Sequence, residues 1–253
     1  MKLLSLRNLI FLAAALLGVG YGLVFFYAPL DADQGFIQKI FYLHVPLAIV
    51  ALIGFVVAAV HAIRHLRSND PIHDLRAYTS IHTSVIFGVA VLITGAIWAK
   101  ASWGRWWVWD EPTLVSFLIV FLLYATYYPL RYAIEDRDRQ ARYASVFAIT
   151  AGAFVPLNFI AVRLAEQLIH PRTFATANGG LPAEMMLTFL VCFAGMAALW
   201  VALVRFEITA KSVSGQLGRL RRALDAGPSA PGTAARIAPG SPNLPAARLP
   251  DQA

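Results

Sequence analysis

Six long apolar stretches constrain this chain more than any other feature. They run Leu9 to Leu30, Phe41 to Ile63, Thr79 to Ala99, Thr113 to Leu130, Tyr143 to Val162 and Glu184 to Val204. A hydrocarbon core about 30 Å thick needs roughly 20 mostly apolar residues per helix, and each stretch meets or approaches that length. Only 14% of residues are charged and 58% are hydrophobic, whereas soluble domains carry about 25% charge. Lipid is therefore the main solvent. The expected fold is an all-α polytopic membrane protein with six transmembrane helices and both termini cytoplasmic.

The first stretch follows Lys2 and Arg7, as a signal peptide would. Its apolar run exceeds the roughly 7 to 15 residues of a signal core, so a retained helix is expected. The net charge of +7 suggests nucleic acid in a soluble protein; here its distribution carries the information, and no nucleic-acid partner is expected. With the N-terminus inside, only Lys39, Lys100, Arg105, Arg163 and Arg172 of the 21 lysines and arginines fall on the outer side. That is the positive-inside pattern. Residues 1–205 then form the membrane domain and residues 206–253 a basic cytoplasmic tail. Val213 to Leu224 reads either as a plain solvated linker or as a short basic helix on the inner leaflet. Gly227 to Ala253, with several prolines and almost no large apolar side chains, reads as disordered.

The informative residues concentrate on the outer face. The second outer loop, residues 100–112, reads Lys100-Ala-Ser-Trp-Gly-Arg-Trp-Trp-Val-Trp-Asp110-Glu-Pro112 and holds four of the six tryptophans. An interfacial aromatic belt scatters single rings over helix ends; a cluster in one loop instead makes a rigid apolar platform for a large flat ligand, with indole N–H groups for polar edges. Asp110 and Glu111 bound it with negative charge, while Lys100 and Arg105 are placed to meet carboxylates. His44 lies at the outer end of the second span and His170 in the third outer loop. A histidine at membrane depth is costly without a partner, and two approaching one platform from different segments suit a planar metal macrocycle with an axial ligand on each face.

Other residues carry weaker signals. His61, His65 and His73 formally resemble a metal group, but they lie among Arg64, Arg67 and Arg76, which favours a plain solvated surface. His82, Cys192 and Asn158 read as packing or interhelical contacts, Pro156 as a kink, and Glu184 as a favourable residue at a helix start. No nucleophile elbow, HExxH motif or nucleotide loop appears.

Trp103-Gly-Arg-Trp-Trp-Val-Trp-Asp110 resembles the WWD signature of the haem-handling proteins of cytochrome c biogenesis, and Asp33 to Pro46 is similar to the family's stretch around its first essential histidine. Length, six spans and one histidine flanking each side of the Trp loop resemble the haem exporter branch, CcmC, from about Leu9 to Val204. The resemblance implies a non-enzymatic protein of the cytoplasmic (inner) membrane, its loop facing the periplasm or exterior. Such a protein binds haem b and passes it to the chaperone CcmE, beside the ABC transporter subunits CcmA and CcmB and the small CcmD. His44 and His170 become iron ligands, and Trp103, Trp106, Trp107, Trp109 and Asp110 the haem platform and chaperone contact. The pattern departs at Glu111-Pro-Thr-Leu-Val-Ser116, where the branch has an arginine followed by Leu-Thr-Ser; Arg105 or Arg172 is left to meet the propionates. The rival expectations are a cytochrome c haem synthase of the CcsA type and a carrier with an aromatic outer gate.

Overall fold

The computed structural model describes residues 5–164, 169–170 and 180–225. Arg172 and the segment from Gly227 onward lie outside them. Among the described residues seven α-helices follow in order, with a 3-10 turn (Phe36–Ile40) between the first two: α1 (Leu6–Phe26), α2 (Phe41–Ser68), α3 (Pro71–Trp103), α4 (Pro112–Ala125), the short α5 (Tyr127–Tyr132), α6 (Arg137–Leu164) and α7 (Ala183–Asp225). With α5 continuing α4, six segments are long and apolar enough to cross a membrane. No strand occurs among the described residues; a lone bridge joins Asp31 to Gly35. The fold is all-α and suited to six membrane spans.

Local chemistry sets the helix ends, several of which lie beyond the apolar runs, whereas α1 stops at Phe26, short of the expected Leu30. At the start of α3, the Asp70 carboxylate accepts from the Ile72 N–H at 2.9 Å, and Pro71 occupies the first turn, where a missing N–H costs nothing. At its far end Gly104 adopts φ +73° and its N–H closes on the Lys100 carbonyl, a left-handed cap that suits glycine. Trp103 thus belongs to the helix and not to the loop. Helix α7 continues through the basic Val213 to Leu224 segment without a break. The chain divides into two compact units, residues 1–209 and 210–253; in the second, the described residues are the last turns of α7.

Small residues let the helices of the first unit approach closely, as lipid-embedded interfaces require. Ala144, Ala148 and Ala151 of α6 are buried with Ala58 and Ala62 of α2. A Cβ on Gly152 would come within 2.6 Å of Ala59. Tyr124 of α4 stacks on Phe55 at 3.9 Å, and its hydroxyl reaches the Phe55 carbonyl at 3.1 Å. At a second crossing, Trp200 of α7 donates to Ser84 of α3 at 3.0 Å directly over Gly54 of α2. Helix α1 rests on α7, with Gly20 against Cys192 and Gly195 against Leu17.

The first two longer connections and the described residues of the third, 169–170 and 180–182, lie at one end of this unit. Gln34 accepts from the Trp98 indole at 2.8 Å. The buried Lys39 ammonium donates to the Val24 and Ala28 carbonyls at 2.5 and 2.7 Å, closing the C-terminal end of α1 where cations are favoured. Glu111 of the second connection binds the third. At the other end α2 and α3 are joined only by Asn69 and Asp70, Asn69 taking a left-handed φ of 53°.

Candidate functional site

Between the helix ends at this end of the unit lies a cavity of about 410 Å³, within the roughly 300–1,000 Å³ usual for ligand pockets. Both singled-out histidines line it: His44 from the first turn of α2 and His170 from the third connection. Trp103 and Trp107 line it too. Trp106, Trp109, Arg105 and Asp110 are exposed and lie outside its wall, so the tryptophan cluster faces two ways. Lys100 folds back onto its own helix end, donating to the Gly104 carbonyl at 2.9 Å.

Helix α3 holds His44 in place. Thr94 directs its hydroxyl proton to the Ala90 carbonyl at 2.7 Å, so its oxygen accepts from His44 Nδ1–H at 2.9 Å. The other ring nitrogen, Nε2, then keeps its lone pair and is the one able to bind a metal. Gly95 makes room for the ring, since a Cβ there would lie 2.8 Å from His44 Cε1. Trp98 packs edge-on against the same imidazole at 5.7 Å and 78°. On the opposite approach, Trp103 meets His170 edge-on at 6.1 Å and 68°.

Glu111 is fully buried. One carboxylate oxygen accepts from the Thr113 N–H at 3.4 Å and caps α4; the other accepts from the Ile169 and His170 N–H groups at 2.9 and 3.1 Å. Burial alone raises its pKa, but the Ile169, His170 and Thr113 donors outweigh it and hold the carboxyl below its ordinary 4.5, because they stabilise the ionised form. The point where the WWD pattern breaks is therefore a structural junction.

The wall is otherwise apolar, with a polar fringe. Trp107 Nε1 and Asn158 Oδ1 are buried in it and have no hydrogen-bond partner among the described residues. Such atoms are rare in native structures, and on a cavity wall they suit the polar edge of a ligand. Arg163, at the end of α6, is a cation on the wall; in the sequence it stands out only as an outer charge. A broad apolar slot with two imidazoles, indole rings, an amide and a guanidinium fits haem, an iron macrocycle with two carboxylates.

Of the other histidines, His65 is buried and not on the solvated surface expected of it, 3.0 Å from the Ser145 hydroxyl; His82 pairs with Glu207 at 2.8 Å; and the His61 and His73 rings stack at 5.7 Å, their buried Nδ1 atoms without a hydrogen-bond partner among the described residues.

A family model described as "Heme exporter protein C" matches residues 2–222. The chain is 33% identical to the heme exporter protein C of Paracoccus denitrificans, covering 80% of this chain and 86% of that one. It is 34% identical to that of Rhodobacter capsulatus, over 83% and 90%. A ccmC-like mitochondrial protein of Marchantia polymorpha, named for cytochrome c biosynthesis, is 28% identical over 66% and 70%. With the WWD loop and the six apolar helices, these matches show that the chain belongs to the heme exporter protein C family, a membrane component of haem export in cytochrome c biogenesis and not an enzyme.

Proposed function

We propose that this protein holds haem b in the cavity between His44 and His170 and presents it, at the outer face of the cytoplasmic membrane, to the chaperone CcmE. The observation that carries the reading is that two imidazoles from separate segments line one apolar cavity with Trp103 and Trp107. Trp98 adds a further ring beside His44. Iron is the natural centre for two such ligands. The indoles offer π surface to the macrocycle, and Arg163, placed on the wall, takes a propionate in preference to the outlying Arg105. Trp106, Trp109 and Asp110, exposed beside the cavity, form the edge that the chaperone reads.

In this reading both termini are cytoplasmic, residues 1–205 are the membrane domain and residues 206–253 the tail. CcmA and CcmB supply the driving force, CcmD joins them, and this chain orients the haem and shields it from water. The test is the absorption spectrum of protein purified from cells making haem, beside His44→Ala and His170→Ala. Six-coordinate haem that is altered in both variants supports the proposal; folded protein without haem refutes it. Thioether-linked cytochrome formed without CcmE would instead establish a synthase.

A further inference from the structure

The two candidate ligands are held by different means. The His44 ring is fixed within the helix pair α2 and α3 by Thr94 and Gly95. His170 lies outside any described helix, its ring edge-on to Trp103 and its backbone N–H held by Glu111. We infer that Glu111 is the positioning residue for His170: its buried carboxylate clasps the third connection to the WWD loop and so sets where the second imidazole sits over the cavity. The inference rests on the haem reading above and adds to it a residue that touches neither iron nor porphyrin.

Three observations carry it. The Glu111 side chain is fully buried though charged, and both of its oxygens are engaged. A carboxylate removed from water is tolerated only when such donors replace it. The two clasped N–H groups belong to His170 itself and to its neighbour Ile169, at 3.1 and 2.9 Å; a shift of either moves the imidazole directly. The clasp also originates at Glu111, one residue past the Trp-Asp pair, so the segment carrying Trp107 and the segment carrying His170 are tied through a single side chain. Pro112 at the first turn of α4 supports this, since proline's fixed φ suits that position and holds Glu111 as the cap.

Glutamate is the side chain that performs both tasks. Aspartate caps a helix at least as well but is one methylene shorter, so it keeps α4 intact while failing to reach Ile169 and His170. Glutamine keeps the reach and one acceptor oxygen. Glu111→Asp therefore separates the clasp from the cap, and Glu111→Gln separates it from the charge.

The experiment uses the full-length protein in nanodiscs, as wild type, Glu111→Asp, Glu111→Gln and His170→Ala. Two readouts are taken: hydrogen exchange of the peptide containing residues 169 and 170, with haem removed, and the haem spin state in the loaded protein. The expected result is faster exchange of that peptide by at least about tenfold in Glu111→Asp, with Glu111→Gln nearer wild type. In the loaded protein, Glu111→Asp converts low-spin haem toward the high-spin form of His170→Ala, and adding Glu111→Asp to His170→Ala changes nothing further. Unchanged exchange in Glu111→Asp overturns the clasp, whatever haem does. Faster exchange with an unaltered haem spectrum, where His170→Ala does alter it, overturns the positioning role. If His170→Ala leaves the spectrum of wild type, the haem reading fails, while the exchange data still decide whether the clasp exists.

Discussion

At Thr94 a single hydroxyl decides which nitrogen of His44 carries the proton. Thr94→Val removes the acceptor for Nδ1–H and frees the ring to present either nitrogen. Losing such an outer partner typically costs about 10- to 100-fold in metal affinity, so the variant should lose haem on washing that much faster, with Thr94→Ser retaining it. The Glu111 carboxyl gives a pH signature. Its pKa is held below the ordinary 4.5 in the folded protein; its stabilisation is thus complete above that ordinary value and is lost as pH falls through the lower folded one. The melting temperature of wild type should exceed that of Glu111→Gln at neutral pH, and the gap should narrow on acidification below 4.5. A gap that widens there would rule out an ionised Glu111. His44 was legible in the sequence because a costly polar residue stood in a hydrophobic run. Thr94 and Gly95 were not, being ordinary span residues whose partner arrives only when α2 packs on α3. Glu111 looked like a defect because its partners lie on a connection far along the chain.

Helix crossings depend on what is absent from glycine. A methyl on Gly54 would overlap the Ser84 hydroxyl and lie 2.8 Å from Trp200, at the meeting of three helices. Gly54→Ala should therefore destabilise by about 1–3 kcal/mol, the usual cost of overfilling a packed site, seen as a lower melting temperature in detergent. Gly18→Ala, with nothing within 4 Å, should leave it unchanged. The number and order of spans were readable from hydrophobicity alone, since lipid demands length. The ends were not: α3 extends past its apolar run at both sides because Asp70, Pro71 and Gly104 set its limits. That extension carries Trp103 into a helix and, with Trp107, onto the cavity wall, while neighbouring rings turn outward.

For the whole molecule, the proposed orientation makes a direct prediction. The sole cysteine, Cys192, is buried, so introduced thiols report cleanly. Trp106→Cys should react with a membrane-impermeant maleimide in spheroplasts, and Asp136→Cys only after permeabilisation; the opposite pattern would put the WWD loop in the cytoplasm. Charge asymmetry is the sequence signal behind the proposed orientation, whereas the gathering of His44, Trp103, Trp107 and His170 around one cavity needs the packed helices. Lys39 has a consequence of another kind, for biogenesis. Its ammonium is sheltered in the bundle and takes its two partners from the far end of α1. Because Lys39 stands just before α2 and its acceptors stand at the end of α1, the two bonds tie these helices to one another without help from the later ones, and the pair suits insertion as one hairpin whose ammonium is already solvated by carbonyls. Loss of α1 would take both carbonyl partners from that ammonium.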